Sequence, residues 1–269
     1  MASPNPRPVP ESRPSGLHES VPGSDSTPSG DWFFRRRSFI PLIPIGYLLF
    51  STAQHPLPTG GLLWHPFWIT LSLGLGALGL AIRAAVIGFA PSGTSGRATK
   101  FMRADTLSTS GMYSVVRHPL YLGNALLWLG VAAFVGRPIS ILLTVTFFGI
   151  CYRHIMRAEE AFLCARFPQR FSVWAQSRPA IIPTARSRWV WPRRHFSIMS
   201  VLGRDYSALY GFVLTTFCVQ GARTWSGGEG WQMTTAWYVY IVVGTVIYGV
   251  LHVLKRSTTL FDAPAAEPR

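Results

Sequence analysis

Side chains that could bind a charged ligand occur in two clusters of this sequence. The first lies in the stretch 111–123, Gly-Met-Tyr-Ser-Val-Val-Arg-His-Pro-Leu-Tyr-Leu-Gly, which contains Arg117 and His118. The second is the adjacent pair Glu159 and Glu160. Cationic and anionic groups held together at one place would suit a zwitterionic ligand, because charge-assisted hydrogen bonds are strong.

Two apolar runs, 119–136 and 139–156, separate these clusters. Each run is nearly long enough to cross a bilayer as a helix, which takes roughly 20 residues. A hairpin of two antiparallel membrane helices begins and ends on the same side of the membrane. The sequence therefore predicts that Arg117 and His118 lie beside Glu159 and Glu160.

The residues around the first cluster also suit a ligand site. Pro119 fits the first turn of a helix, where free backbone N–H groups and the helix dipole favour an anion. Tyr113 and Tyr121 offer flat faces with hydroxyl groups, and Gly123 leaves room for a neighbouring helix or a ligand. Each residue alone is also typical of interfacial anchoring or helix packing, but the dense block with an acidic pair favours a site.

The two glutamates cannot point in the same direction, because neighbours on a helix differ by about 100°. Glu160 can pair with Arg157 at a spacing of three residues, which would leave Glu159 facing the site. The two roles could also be exchanged. The alternative to both is a solvated charged turn whose ion pairs contribute little.

Composition favours a polytopic membrane protein. The chain has 269 residues, of which 48% are hydrophobic and 13% charged, about half the usual charged share. The net charge of +14 would suggest nucleic acid for a soluble protein, but the basic residues lie between apolar runs. Membrane orientation explains them better, and no nucleic-acid partner is expected. The cysteines are scattered without metal or disulfide spacing, so we predict free thiols and no metal site.

The charge distribution predicts how the chain crosses the membrane. Arg35, Arg36 and Arg37 precede the first apolar segment, 55–66 carries no charged residue, and 157–205 is rich in arginine. The positive-inside rule then places both termini in the cytoplasm. We therefore predict a multi-pass protein of the cell (inner) membrane. We predict an all-α polytopic helix bundle of about six transmembrane helices with a cytoplasmic cofactor pocket, the segments being 38–54, 67–90, 119–136, 139–156, 206–222 and 236–254.

The same pattern predicts four parts of the chain. Residues 1–31 are rich in Pro, Ser and Gly and are expected to form a disordered cytoplasmic tail. Residues 32–195 form the membrane core, 196–256 an additional two-helix segment, and 257–269 a short C-terminal tail.

Three elements together resemble a known family. They are the block 111–123, the pair Glu159-Glu160 followed by Phe162-Leu163, and the later Phe167…Phe171…Trp174…Pro179…Ile182-Pro183. Over about 75–185 the chain resembles the isoprenylcysteine carboxyl methyltransferase and phospholipid methyltransferase family, integral membrane enzymes that use S-adenosyl-L-methionine. The resemblance implies a cofactor pocket formed by Arg117, His118, Pro119, Tyr121, Gly123, Glu159 and Glu160. The chain departs from the family in its two further membrane segments.

The chemistry of the cofactor agrees with these residues. Arg117 and His118 suit its carboxylate, a glutamate suits the ammonium or ribose, and tyrosines such as Tyr113 suit the adenine face. Methyl transfer from an activated donor needs alignment and exclusion of water more than acid–base catalysis. Arg83, inside the second segment, either snorkels to the interface or holds an anionic acceptor group, and it joins Glu159 as a catalytic candidate.

The expected acceptor is a lipid, isoprenoid or other membrane-resident molecule. The excess of positive charge near the site favours methylation of a carboxylate or phosphate oxygen over an amine. No obligatory protein partner is inferred. Two alternatives remain open: an NADPH-dependent membrane sterol or lipid reductase, whose family carries a similar Arg-His block, and a non-catalytic lipid-binding or transport protein. The Glu159-Glu160 pair favours the methyltransferase.

Overall fold

The structure is a computed structural model that describes residues 28–55, 65–90, 104, 106–185, 187–228 and 230–261. Within these ranges it contains eight α-helices, a 3₁₀ turn at Met112–Ser114, and no β-strand beyond one isolated bridge. The helices are α1 (Pro28–Arg36), α2 (Leu42–Gln54), α3 (Pro66–Phe89), α4 (Pro119–Val135), α5 (Pro138–Arg166), α6 (Pro168–Gln176), α7 (Ile198–Ser226) and α8 (Thr235–Ser257).

The predicted all-α membrane bundle is confirmed, and each of the six predicted segments is a helix. The helices α3, α5 and α8 are long and apolar enough to cross a membrane, while α2 and α4 are apolar but shorter. The helix α7 is 29 residues long and carries charged side chains, among them Asp205 and Arg223. Both α5 and α7 are longer than their predicted apolar segments. Their extra helical turns consist of more polar residues, which continue the backbone hydrogen bonding of the helix.

Proline and glycine set the helix boundaries that position the hairpin. Pro119 and Pro138 occupy the first positions of α4 and α5, where a missing N–H costs nothing. Gly136 ends α4 with φ of 79°, a left-handed conformation that glycine adopts without steric cost. The helix α2 begins after Pro41 rather than at residue 38, which leaves Pro44 in its first turn. The result is the tight α4–α5 turn that the sequence predicts.

Glycines bring α3 and α4 into backbone contact. A Cβ atom added to Gly79 would lie 2.4 Å from the carbonyl oxygen of Gly123. One added to Gly130 would lie 2.6 Å from the backbone nitrogen of Gly76. Small residues at such crossings are typical of helix pairs in membranes, since they allow close van der Waals contact. The start of α4, and with it His118, is therefore fixed against α3.

The later helices join the same bundle. The helix α7 packs against α2, α3 and α8, and its first residue, Ile198, follows the predicted boundary at 195. At the other end, α1 begins at Pro28, ahead of the predicted start of the core at 32. Residues 1–27 of the predicted disordered tail and 262–269 of the C-terminal tail lie outside the described residues.

Candidate functional site

The backbone of the first charged cluster is held by residues 179–190, which follow α6. Three N–H groups in 111–118 donate to carbonyl oxygens in 179–190 at 2.8–2.9 Å: Gly111 to Val190, Arg117 to Pro179, and His118 to Ala180. The indole N–H of Trp174 in α6 also donates to the carbonyl of Tyr113, at 3.1 Å. These bonds fix the backbone positions from which the side chains of Arg117 and His118 extend, just before α4 begins.

The hairpin places His118 between the two glutamates. Its Nε2 atom lies 2.8 Å from Oε1 of Glu160, and its Nδ1 atom lies 3.7 Å from Oε2 of Glu159. The side chain of His118 is buried, whereas both glutamates are about a quarter exposed. The structure thus brings together the clusters that the sequence separates by two helices.

Further partners surround this group of three. Oε1 of Glu160 lies 3.1 Å from Nε of Arg117, although that N–H does not point at the oxygen. The hydroxyl of Tyr121 donates to Oε1 of Glu159 at 2.7 Å. A terminal nitrogen of Arg37 lies 3.5 Å from the same oxygen. Each glutamate therefore contacts its own cation besides His118.

The two glutamates differ in what they face. Glu159 lines the main cavity, whereas Glu160 is not part of the lining and pairs with His118 and Arg117. Among the ion pairs of the described residues, none joins Glu160 to Arg157, the pairing that the helical spacing allowed. Of the two orientations left open by the sequence, the structure has Glu159 facing the cavity.

The electrostatics of His118 follow from its surroundings. Burial alone would lower its pKa, but hydrogen bonds to Glu159 and Glu160 and the two negative charges outweigh burial and raise the pKa above 6.5. The imidazolium form is favoured, and both of its N–H groups can donate to carboxylates. Burial, together with the charge of Glu159, raises the pKa of Tyr113, so its phenol stays protonated.

A cavity of about 680 Å³ opens beside these residues. This volume lies within the range of about 300–1,000 Å³ that is usual for ligand sites. Its polar lining includes Arg37, Tyr113, Arg117, His118, Glu159 and Trp174, and its apolar lining includes Ile45, Leu127, Trp128, Phe148, Ala208 and Gly211. Trp128 lies between two and three helical turns beyond His118 on α4. The cavity therefore extends from the charged group toward the apolar part of the bundle.

Arg83 lines the same cavity, and its guanidinium is paired. Its Nε atom donates to Oδ2 of Asp205 at 3.1 Å, and a terminal nitrogen donates to Oδ1 of that carboxylate. The other terminal nitrogen donates to the side-chain oxygen of Asn124. The charge of Arg83 is thus compensated by α7, a helix that the predicted site did not include. An acidic residue next to an apolar run is a signal that could have identified Asp205.

The other predicted residues divide between cavity and packing. Pro119 and Tyr121 line the cavity, whereas Gly123 contacts α3, where an added Cβ would lie 2.7 Å from Cγ of Arg83. Sequence reasoning missed Arg37, which it used only as an orientation signal. Among the described residues, no group of three or more His, Cys, Asp or Glu side chains could hold a metal ion.

Comparisons with known proteins match the part of the chain that carries this site. The family model described as phospholipid methyltransferase matches residues 69–170. The cobalt-zinc-cadmium resistance protein CzcN of Cupriavidus metallidurans is 34% identical over 121 residues, which are 45% of this chain and 53% of that protein. The nickel-cobalt-cadmium resistance protein NccN of Alcaligenes xylosoxydans xylosoxydans is 29% identical over 142 residues, 52% of this chain and 64% of that protein. The matches thus span between half and two thirds of these relatives. No solved structure matches.

The matched range contains nearly all of α3 and the whole of α4 and α5, together with both charged clusters. The resemblance drawn from the Arg-His-Pro block and the glutamate pair is confirmed by this match. Residues 69–170 of this chain, less than half of its length, therefore match the phospholipid methyltransferase family.

Proposed function

We propose that this chain is an integral membrane methyltransferase that binds S-adenosyl-L-methionine and methylates a membrane-resident acceptor. One observation carries the proposal: Glu159, His118 and Arg117 meet at a cavity that continues between apolar helices. A charged binding group in the wall of a cavity with a largely apolar lining suits a reaction between a polar donor and a lipid-like acceptor.

The residues present fit this cofactor. Its amino-acid end carries an ammonium and a carboxylate, which match Glu159 and the neighbouring arginines. Aromatic faces of Tyr113 and Trp174 in the lining suit the adenine ring and the sulfonium cation. When bound, the cofactor supplies a methyl group on a positively charged sulfur, which needs no further activation.

The work left to the protein is then positioning. His118 and Tyr121 hold Glu159 from two sides, so its carboxylate meets the ligand in a fixed orientation. The backbone contact between α3 and α4 keeps the wall of the cavity rigid. Arg83, the second predicted catalytic residue, can donate its remaining N–H groups into the cavity while Asp205 holds it.

The acceptor is proposed to be a lipid, an isoprenoid or a similar molecule of the bilayer. Its apolar part would lie against residues such as Leu127, Trp128 and Phe148. We retain a carboxylate or phosphate oxygen as the methylated atom. Because Asp205 compensates Arg83, the support for an anionic group comes from Arg37 and Arg117 at the cavity.

Cofactor binding separates this proposal from its alternatives. Titration of the purified protein in detergent with S-adenosyl-L-methionine and with NADPH should show binding of the first alone. Membranes from cells with and without the protein should then differ by a lipid shifted by one methyl group, and the shift should vanish in Glu159→Gln. Binding of NADPH alone would favour a reductase. Absence of both binding and shift would favour a lipid-binding or transport protein.

We also propose that the chain is multi-pass in the cell (inner) membrane with both termini in the cytoplasm. Cys164 is an exposed native thiol near the end of α5 and serves as one reporter. A cysteine at Gly60, in a Cys164→Ser background, serves as the other. A membrane-impermeant thiol reagent should label Cys164 only after the cell is opened and the Gly60→Cys site in intact cells. Labelling of both from one side would contradict this topology.

The names of the two relatives suggest a physiological setting. We propose that methylation of a membrane component by this chain contributes to tolerance of cobalt or cadmium. Cells that express the wild-type protein should survive higher concentrations of these metals than cells that express Glu159→Gln at the same level. Equal metal tolerance of the two cell lines would contradict a contribution of methylation by this chain to metal resistance.

A further inference from the structure

We infer that Arg37, which lies outside the range matched by the family model, binds the α-carboxylate of the cofactor while Glu159 binds its α-ammonium. This inference rests on the proposed function and adds a binding residue to it. Arg37 and Glu159 in the cavity wall would together form a receptor for a free amino-acid end. The ligand class is a nucleoside that carries an α-amino-acid group.

Arg37 differs from the two arginines that precede it. Arg35 and Arg36 are exposed, and Arg36 stacks over the ring of Trp32. The side chain of Arg37 is 16% exposed, and its terminal nitrogen lies 3.5 Å from Glu159. It also lines the cavity. Arg37, one of the three arginines that the positive-inside rule used to orient the chain in the membrane, is therefore part of the site.

The segment that carries Arg37 is anchored on both sides. Phe34, before it, is 5% exposed, and Ile40, after it, is 6% exposed. Phe33 stacks on the ring of His154 in α5, with 5.2 Å between the ring centroids. The guanidinium of Arg37 lies over the Phe34 ring at 4.1 Å. Because α1 packs on the helix that carries the glutamates, Arg37 approaches the site in a fixed geometry.

The spacing of this pair matches an α-amino acid. A zwitterionic amino acid carries its carboxylate and ammonium on one carbon atom, so its receptor must offer opposite charges a few ångströms apart. The 3.5 Å between Arg37 and Glu159 meets that requirement at the cavity wall. A bound zwitterion would place its carboxylate beside Arg37 and its ammonium beside Glu159. Each charged group would then lie next to a group of opposite charge.

Arg117 is placed less well for this task. Its Nε atom lies 3.1 Å from Glu160, which does not line the cavity, and a terminal nitrogen donates to the carbonyl of Ala175 at 3.3 Å. Arg117 also lines the cavity, but these contacts already engage its guanidinium with Glu160 and α6. The arginine beside the glutamate that faces the cavity is Arg37.

The test compares two ligands that differ by one group. S-adenosylhomocysteine has the complete amino-acid end, and its decarboxylated analogue lacks only the carboxylate. The full-length protein in detergent is titrated with each ligand as wild type, Arg37→Gln and Arg35→Gln. We expect Arg37→Gln to bind S-adenosylhomocysteine about tenfold to a hundredfold more weakly and the analogue as wild type does. Arg35→Gln, a matched loss of charge at an exposed position, should bind both as wild type does.

Three outcomes would overturn the inference. They are unchanged affinity of Arg37→Gln for S-adenosylhomocysteine, equal weakening for both ligands, and the same effect in Arg35→Gln. If Arg37→Gln does not fold, Arg37→Lys replaces it, and a loss confined to S-adenosylhomocysteine is again expected because lysine cannot make the two-pronged contact. If the wild-type protein binds neither ligand, the proposed function itself is contradicted, and the inference about Arg37 with it.

Discussion

The guanidinium of Arg83 in α3 forms a two-pronged salt bridge with the carboxylate of Asp205 in α7. Arg83 lies inside the range that the family model matches, and Asp205 lies beyond it. Both side chains are largely buried, at 16% and 7% exposure. The later helix is therefore bound to the matched part of the chain at the wall of the cavity itself.

This salt bridge predicts a specific pattern of stability. Asp205→Asn should destabilise the protein by about 3–5 kcal/mol, because it leaves a buried guanidinium without its counter-charge. The double variant Arg83→Met/Asp205→Leu should cost less than Asp205→Asn, since it removes both charges. Thermal unfolding in detergent measures each variant, with Arg193→Gln as an exposed control. A double variant destabilised as much as Asp205→Asn or more would contradict this pattern.

The two glutamates should differ in their effect on cofactor affinity. Glu159→Gln removes the carboxylate that faces the cavity and should weaken S-adenosyl-L-methionine binding about tenfold to a hundredfold, from a lost charge-assisted hydrogen bond of about 1.5–3 kcal/mol. Glu160→Gln removes a partner of His118 behind the cavity and should lower stability more than affinity. Calorimetric titration and thermal unfolding of both variants test this. The reverse ranking would place Glu160 at the ligand.

The raised pKa of His118 predicts a pH dependence of stability. The folded state favours the imidazolium, so its contribution is fully present below the ordinary pKa of 6.5 and is lost as pH rises through the higher folded pKa. Wild type should therefore lose stability relative to His118→Gln as pH increases above about 6.5. Unfolding temperatures of both proteins across this range give the comparison. A constant difference would mean that His118 keeps one charge state throughout.

The contact between α3 and α4 predicts that Gly123→Ala is destabilising. The added Cβ would lie 2.7 Å from Cγ of Arg83 and 2.8 Å from the carbonyl oxygen of Gly79, so the helices must move apart. We expect a cost of about 1–3 kcal/mol. Gly149→Ala in α5 is the matched control, since its Cβ would meet nothing within 4 Å and alanine favours a helix. Equal stability of the two variants would contradict this close packing.

Much of the bundle was predictable because apolar length and charge asymmetry are local signals. The hairpin geometry alone placed His118 beside Glu159 and Glu160, and proline and glycine marked the turn between the helices. Two contributions were not predictable. Arg37 was hidden in a run of arginines that orientation already explained, and Asp205 reaches Arg83 only through a packing of α7 that no spacing in the sequence encodes.

The backbone bonds from the Arg117-His118 segment to Pro179 and Ala180 set an order of events during synthesis. The donors emerge from the ribosome before the α4–α5 hairpin, and the acceptors emerge after it and after α6. A nascent chain that stops at residue 170 would carry Arg117, His118 and both glutamates but lack the carbonyl groups that orient them. The proposed cofactor pocket is thus expected to mature only once the arginine-rich loop has been made, late in the insertion of the protein.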